Sequence, residues 1–247
     1  VSAPIVTVRG LSIGWGEEPL LERLDFDVAR GDVFAILGGS GTGKSTLMRH
    51  LVGLDRPMAG EVLVDGRRPT LEGRPRSGIL FQSGALFGSL NLLENVALPL
   101  RHWTSLREPV LSQVAAAKLR LVGLEGFERY LPAEISGGMK KRAGIARALA
   151  LDPPLLYLDE PSAGLDPVTS AHMDDLILSL NENLGVTIVV VTHELRSIER
   201  VAKNCILLHR DRRGVIAAGD PRRLAESSSD VRVREFFQRP STAPIPS

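Results

Sequence analysis

Three short stretches carry residue types that make chemical sense together. Gly38-Gly39-Ser40-Gly41-Thr42-Gly43-Lys44-Ser45, followed by Thr46, fits the pattern G-x-x-x-x-G-K-[ST]. Glycines at this spacing let backbone N–H groups curl around a polyphosphate, and a helix starting there adds its positive end. Lys44 is placed to pair with the β- and γ-phosphates, and the Ser45 hydroxyl to ligate Mg2+. Leu155-Leu156-Tyr157-Leu158-Asp159-Glu160 is an apolar run ending in two carboxylates. At the end of a buried strand, Asp159 can hold a magnesium ion through water and Glu160 can polarise an attacking water as general base. Ile135-Ser136-Gly137-Gly138-Met139 opens a helix with a second anion-binding start, although a plain Ser136 cap is the simpler reading of that stretch alone.

Residues 33–37 (Val-Phe-Ala-Ile-Leu) form a continuous apolar run into the glycines, as a buried parallel strand does. Helical patterning follows from Lys44 to Gly53, where the glycine suits a helix end. Residues 6–13 and 24–28 alternate as strands, 61–65 runs into a turn at Gly66, and 155–158 and 186–191 are further buried-strand candidates. Val110, Val114, Ala117 and Leu121 recur at helical spacing and stop at Gly123, which with residues 92–100 predicts a small helical lobe over about 88–135. Strands alternating with helices predict an α/β fold with a mostly parallel sheet.

Thirty basic against twenty-nine acidic residues give a net charge of +1, which offers no whole-chain case for a nucleic-acid partner. The clusters Lys140-Lys141-Arg142 and Arg210-Asp211-Arg212-Arg213 read as solvated helix and turn faces. One cysteine, Cys205, rules out an internal disulfide and a thiolate metal cluster. No secretory signal is read in the first eleven residues, and no apolar run approaches the ~18 residues of a membrane span. The expectation is therefore a cytosolic protein whose membrane role is peripheral. Residues 240–247, rich in Pro, Ser and Thr, read as a flexible tail.

The order of motifs (P-loop, Gln82, Ser-Gly-Gly, Asp-Glu, His193) resembles the nucleotide-binding subunit of an ATP-binding-cassette (ABC) transporter over residues 5–220. The resemblance implies a P-loop NTPase core with a mostly parallel sheet, an N-terminal antiparallel β part and an inserted helical subdomain, with residues 221–239 as a C-terminal helical extension. It implies ATP and Mg2+ as ligands. Gly38, Gly39, Ser40, Gly41, Thr42, Gly43, Lys44, Ser45 and Thr46 resemble the Walker A loop, and Gln82 the Q-loop glutamine, a catalytic residue with Glu160 and His193 and a Mg2+ ligand with Ser45 and Asp159. Ser136-Gly137-Gly138 resemble the signature, with Ile135 and Met139 in place of its usual Leu and Gln ends; Asp166 in Ser162-Ala163-Gly164-Leu165-Asp166 resembles the D-loop aspartate. His193 resembles the switch histidine that acts with Glu160, though alone it reads as a core or capping histidine. Trp15 matches the aromatic that stacks on adenine, against the alternative of a core tryptophan in a strand. In this family the signature of one subunit meets the γ-phosphate held by the other, which implies a head-to-tail homodimer.

Within the family, Leu80-Phe81-Gln82-Ser83-Gly84-Ala85-Leu86-Phe87, Ser136-Gly137-Gly138-Met139 and Asp230-Val231-Arg232-Val233-Arg234-Glu235-Phe236-Phe237 resemble the ATPase of maintenance-of-lipid-asymmetry systems. That resemblance implies phospholipid transport, an integral membrane permease, an MCE-type substrate-binding subunit, a small accessory subunit, and a place on the cytoplasmic face of the inner membrane. The bland reading of Val233, Phe236 and Phe237 is a satellite patch closing the core. Other cargoes (an amino acid, a metal, a lipoprotein) and a non-transport ABC ATPase are the alternatives. A GTPase or small-molecule kinase would share the P-loop but not Ser136-Gly137-Gly138 ahead of Asp159-Glu160.

Overall fold

A computed structural model describes residues 3–15, 18–82 and 84–238. Gly16, Ser83 and the stretch read as a flexible tail (240–247) lie outside the described residues.

Two sheets form. β1 (Val6–Trp15) pairs antiparallel with β2 (Glu18–Val28) and, on its other side, with β4 (Ala59–Val64), giving the order β2-β1-β4. The second sheet has six strands in the order β5-β6-β7-β3-β8-β9, from β3 (Val33–Gly38), β5 (Ser77–Leu80), β6 (Leu155–Asp159), β7 (Thr187–Val191), β8 (Asn204–His209) and β9 (Gly214–Gly219). All neighbours are parallel except β8 and β9. The expected α/β fold, mostly parallel with an antiparallel N-terminal part and added helices, is what the chain adopts.

Pleat alternation explains the layers. On β6, Leu155 and Tyr157 face a cluster shared with the antiparallel sheet and α1 (Lys44–Leu51), whereas Leu156 and Leu158 face the helices on the other side. Those helices are α2 (Leu92–Trp103), α3 (Glu108–Leu121), α4 (Gly137–Ala148) and α5 (Pro167–Leu184). A third cluster sets Ala35, Leu37, Cys205 and Leu207 against α6 (Leu195–Val201) and the C-terminal helices α7 (Pro221–Ser227) and α8 (Val231–Gln238). Val233 and Phe237 are buried there and Phe236 packs beside them. Among the described residues no helix is long and apolar enough to cross a membrane.

The helix expected from Val110, Val114, Ala117 and Leu121 forms as α3; Val110 and Leu121 are 42% and 44% exposed, while Val114 packs against the core. The buried face is Leu111, Ala115, Lys118 and Leu119. This helix is apolar along two stripes of the same period, and packing against α2 and α4 selects the second. Lys141 does not lie on a solvated helix face; it is 7% exposed, and its ammonium donates to backbone carbonyls. A charge run carries no information about which member points inward.

Candidate active site

Sheet order builds the site. β5, β6, β7 and β3 are consecutive and parallel, so the residues that follow their C-terminal ends share one edge: Gln82, Asp159 with Glu160, His193, and the glycine loop. A cleft of about 310 Å3 on this edge is lined by Ser40, Gly41, Gly43, Lys44, Ser45, Thr46, Gln82, Glu160 and His193. Residues over 150 positions apart thus meet in one place.

The glycine loop turns between β3 and α1 with Gly41 at φ 72° and Gly43 at φ 93°, the second serving as N-cap of α1. Lys44 folds back over this loop, its ammonium donating to the carbonyls of Gly38 and Gly39, each at 2.9 Å. Thr42 Oγ1 donates to the Gly39 carbonyl at 3.0 Å. Burial lowers the pKa of Lys44, and Glu160 and Asp159 act against that fall. A buried ammonium bonded only to neutral carbonyls, at the mouth of an N–H-lined turn, fits a polyphosphate.

Ser45 Oγ donates to Asp159 Oδ1 at 3.2 Å. Burial raises the pKa of Asp159, and Glu160 adds to the rise, while Ser45 and Lys44 oppose it. A carboxylate short of counter-charge beside a hydroxyl is a hard-oxygen pair, which fits Mg2+, an ion that takes few protein ligands and completes its shell with phosphates and water.

Glu160 is held on all sides. Its Oε1 lies 2.7 Å from His193 Nδ1, and its Oε2 accepts from Thr192 Oγ1 at 3.2 Å. Its amide donates to the Val191 carbonyl at 2.8 Å. Its backbone is left-handed at φ 49°, a conformation that costs a non-glycine residue about 1–3 kcal/mol and persists only where the surroundings impose it. The hydrogen bond that the His193 ring donates to the Glu160 carboxylate raises the pKa of His193, against its partial burial.

Other expected residues lie off the cleft. Ser136 is the N-cap of α4, its Oγ accepting from Met139 N at 3.2 Å, and it is exposed along with Gly137. Gly138 is buried; a Cβ there would stand 2.6 Å from Thr169 Cγ2 on α5, so close packing demands the glycine. Asp166 caps α5, accepting from the amides of Val168 and Thr169. Trp15, at the end of β1, is 69% exposed and is not the core residue of the alternative reading. Three residues here escaped the sequence reading: Thr192, Lys141, and Arg147, whose guanidinium donates to the carbonyls of Gly84 and Ala85 just after Gln82. A polar residue directly before His193 was the available pointer to Thr192; the other two gave none.

A glycine loop between strand and helix, with a hydroxyl–carboxylate pair and a pinned glutamate on the same sheet edge, defines a P-loop nucleotide hydrolase. A family model described as ABC transporter matches residues 21–163. The chain is 40% identical to the intermembrane phospholipid transport system ATP-binding protein MlaF of Escherichia coli, over 99% of this chain and 92% of that protein. It is 41% identical to the probable ribonucleotide transport ATP-binding protein mkl of Mycobacterium leprae, over 97% of this chain and 70% of that one. Among solved structures, the ATP-binding cassette MJ0796, a dimer bound to ADP and Pi in a post-hydrolysis state, superposes with TM-score 0.77 at 31% identity, over 87% of this chain and 98% of that one. The cbiO1 protein of Clostridium perfringens, part of the ABC transporter complex cbiONQ, superposes with TM-score 0.82 at 29% identity, over 91% and 92%. The chain belongs to the ABC transporter family as an ATP-binding, ATP-hydrolysing subunit.

Proposed function

We propose that this ATPase powers phospholipid movement across a bacterial envelope, as a head-to-tail homodimer bound to an integral membrane permease. The observation that carries the hydrolytic part is Glu160, fixed by His193 and Thr192 at the mouth of the Lys44 cleft. For the cargo, support comes from similarity to MlaF along nearly the full length of both chains. The mkl relatives carry a ribonucleotide name and extend well beyond this chain, which covers 70% of one and 68% of another. Phe87, five residues after Gln82 in sequence, 58% exposed and held by the buried Asn95 through both its N–H and C=O, offers an apolar contact for the permease. An MCE-type subunit, a small accessory subunit and a position on the cytoplasmic face of the inner membrane complete this reading.

Trp15 stacks on adenine, and the amides of residues 39–46 with Lys44 bind the β- and γ-phosphates. Ser45, Asp159 and Gln82 would hold Mg2+, which when bound would neutralise phosphate charge. Glu160 takes a proton from the water that attacks the γ-phosphate, and His193 fixes the carboxylate for that transfer. Ser136 and Gly137, exposed in one chain, with the buried Gly138 seating them against α5, complete the site of the other chain. Asp166 keeps the D-loop and the start of α5 in register for that pairing.

The test is outer-leaflet phospholipid in cells deleted for this chain and complemented with wild type or Glu160→Gln. Deletion should place phospholipid in the outer leaflet and sensitise cells to detergent with chelator, and only wild type should reverse it. No lipid change on deletion, or rescue by Glu160→Gln, ends the lipid reading.

A further inference from the structure

Lys141 lies on α4, five residues beyond the Ser136 cap, and is 7% exposed. Its ammonium donates to the Glu160 carbonyl at 2.9 Å and to the Ala163 carbonyl at 2.6 Å. Those carbonyls mark the two ends of the tight turn that leaves β6, within which the Ala163 amide also donates to the Glu160 carbonyl. Burial lowers the pKa of Lys141, and the carboxylates of Glu194 and Glu160 counter that effect. Desolvating an ammonium is costly, and a neutral side chain could fill the same volume. What the cation supplies is direction: two fixed carbonyls hold Glu160 in its left-handed conformation and so aim its carboxylate at Thr192 and His193.

We propose that Lys141 is a positioning residue, tying the helix that presents the signature to the backbone of the hydrolytic glutamate in the same chain. This rests on the reading of Glu160 as general base and of Ser136-Gly137-Gly138 as acting on the partner's nucleotide. Under it, the two sites of the dimer are linked through each chain's own Lys141. When the partner's nucleotide draws on α4, the pull reaches Glu160 of the other site through one ammonium and two carbonyls.

The experiment is a double-mutant cycle on the ATPase assembled with its membrane subunits, comparing wild type, Lys141→Met, Glu160→Gln and the double variant in single-turnover hydrolysis. Lys141→Met should lower the maximal rate by about 10- to 100-fold, the scale expected from misplacing a reacting group by about 1 Å, with the half-saturating ATP concentration within about 2-fold. In the Glu160→Gln background the same substitution should change the residual rate by less than about 2-fold, because the group it positions is already gone. Lys141→Arg, which keeps charge and donors, should recover part of the rate. If Lys141→Met does not assemble, Lys141→Gln, which keeps an N–H donor group without the charge, reads the same split. Equal losses in both backgrounds, a loss confined to ATP affinity, or a wild-type rate would overturn the proposal. If Glu160→Gln itself hydrolyses at the wild-type rate, the general-base reading fails instead, whatever Lys141→Met does.

Discussion

Gly138 offers a quantitative test of how α4 is seated on α5. Replacing it with alanine puts a Cβ 2.6 Å from Thr169 Cγ2, with Leu165 Cδ2 a further neighbour at 3.7 Å. Carbon atoms rest at about 3.5–4.0 Å, so the overlap is near 1 Å and must be relieved by moving α4 against α5. Overpacking of this size costs about 1–3 kcal/mol, and the gain in helix propensity from glycine to alanine, at most about 1 kcal/mol, offsets only part of it. At about 2–4 °C per kcal/mol for a chain of this length, Gly138→Ala should lower Tm by several degrees. Thr169→Ser removes the offending Cγ2 but keeps the hydroxyl that donates to Asp166; alone it should cost less than about 1 kcal/mol, the worth of one methyl group. The double variant should therefore melt higher than Gly138→Ala, with a favourable coupling of at least about 1 kcal/mol, and recover ATPase activity. The assay is thermal unfolding of all four proteins, with hydrolysis rates alongside. Strict additivity of the two substitutions would refute the packing argument.

Further outcomes follow from the charges of the cleft. Because burial raises the pKa of Asp159, its ionised form is disfavoured in the fold, so Asp159→Asn should stabilise the nucleotide-free protein by about 0.5–2 kcal/mol. The same variant should lose the Mg2+-dependent part of the ATP-induced rise in Tm, and retention of that part would remove Asp159 from the metal site. The raised pKa of His193 stabilises the fold below its ordinary value of 6.5, and that contribution is lost as pH rises through the higher folded value. The Tm difference between wild type and His193→Gln should accordingly be larger near about pH 5.5 than near about pH 8.5, and a pH-independent difference would contradict the His193–Glu160 contact.

Motifs whose residue types are dictated by local backbone chemistry were legible in the sequence. The glycine loop has to be glycine to turn with positive φ, and an apolar run ending in Asp159-Glu160 has to leave a buried strand. Strand order was not legible: β3 lies between β7 and β8, and β5 joins β6, through crossovers that no local pattern encodes. That order is what carries His193 to Glu160, so the histidine alone read as a core or capping residue. Ser136 shows both of its readings at once, because a cap and an anion site use the same helix start. Lys141 was misread, and the buried face of α3 was not legible. A lysine inside a basic run looks solvated until two carbonyls claim it, and a helix with two apolar stripes gives no sign of which one is covered.

The central claim, a composite site shared by two copies of this chain, is tested most directly by a mixed dimer. Differently tagged Lys44→Ala and Ser136→Ala chains are co-expressed, and the mixed pair is isolated with its membrane subunits. Melting curves check that loss of the Ser136 cap, about 0.5–2 kcal/mol, leaves the chain folded. Each variant dimer has no complete site, whereas the mixed dimer pairs an intact Lys44 with an intact Ser136 at one of its two sites. The account predicts that ATP hydrolysis, absent from either variant alone, returns in the mixed dimer. Normal hydrolysis by the Ser136→Ala dimer, or none in the mixed dimer, would contradict it.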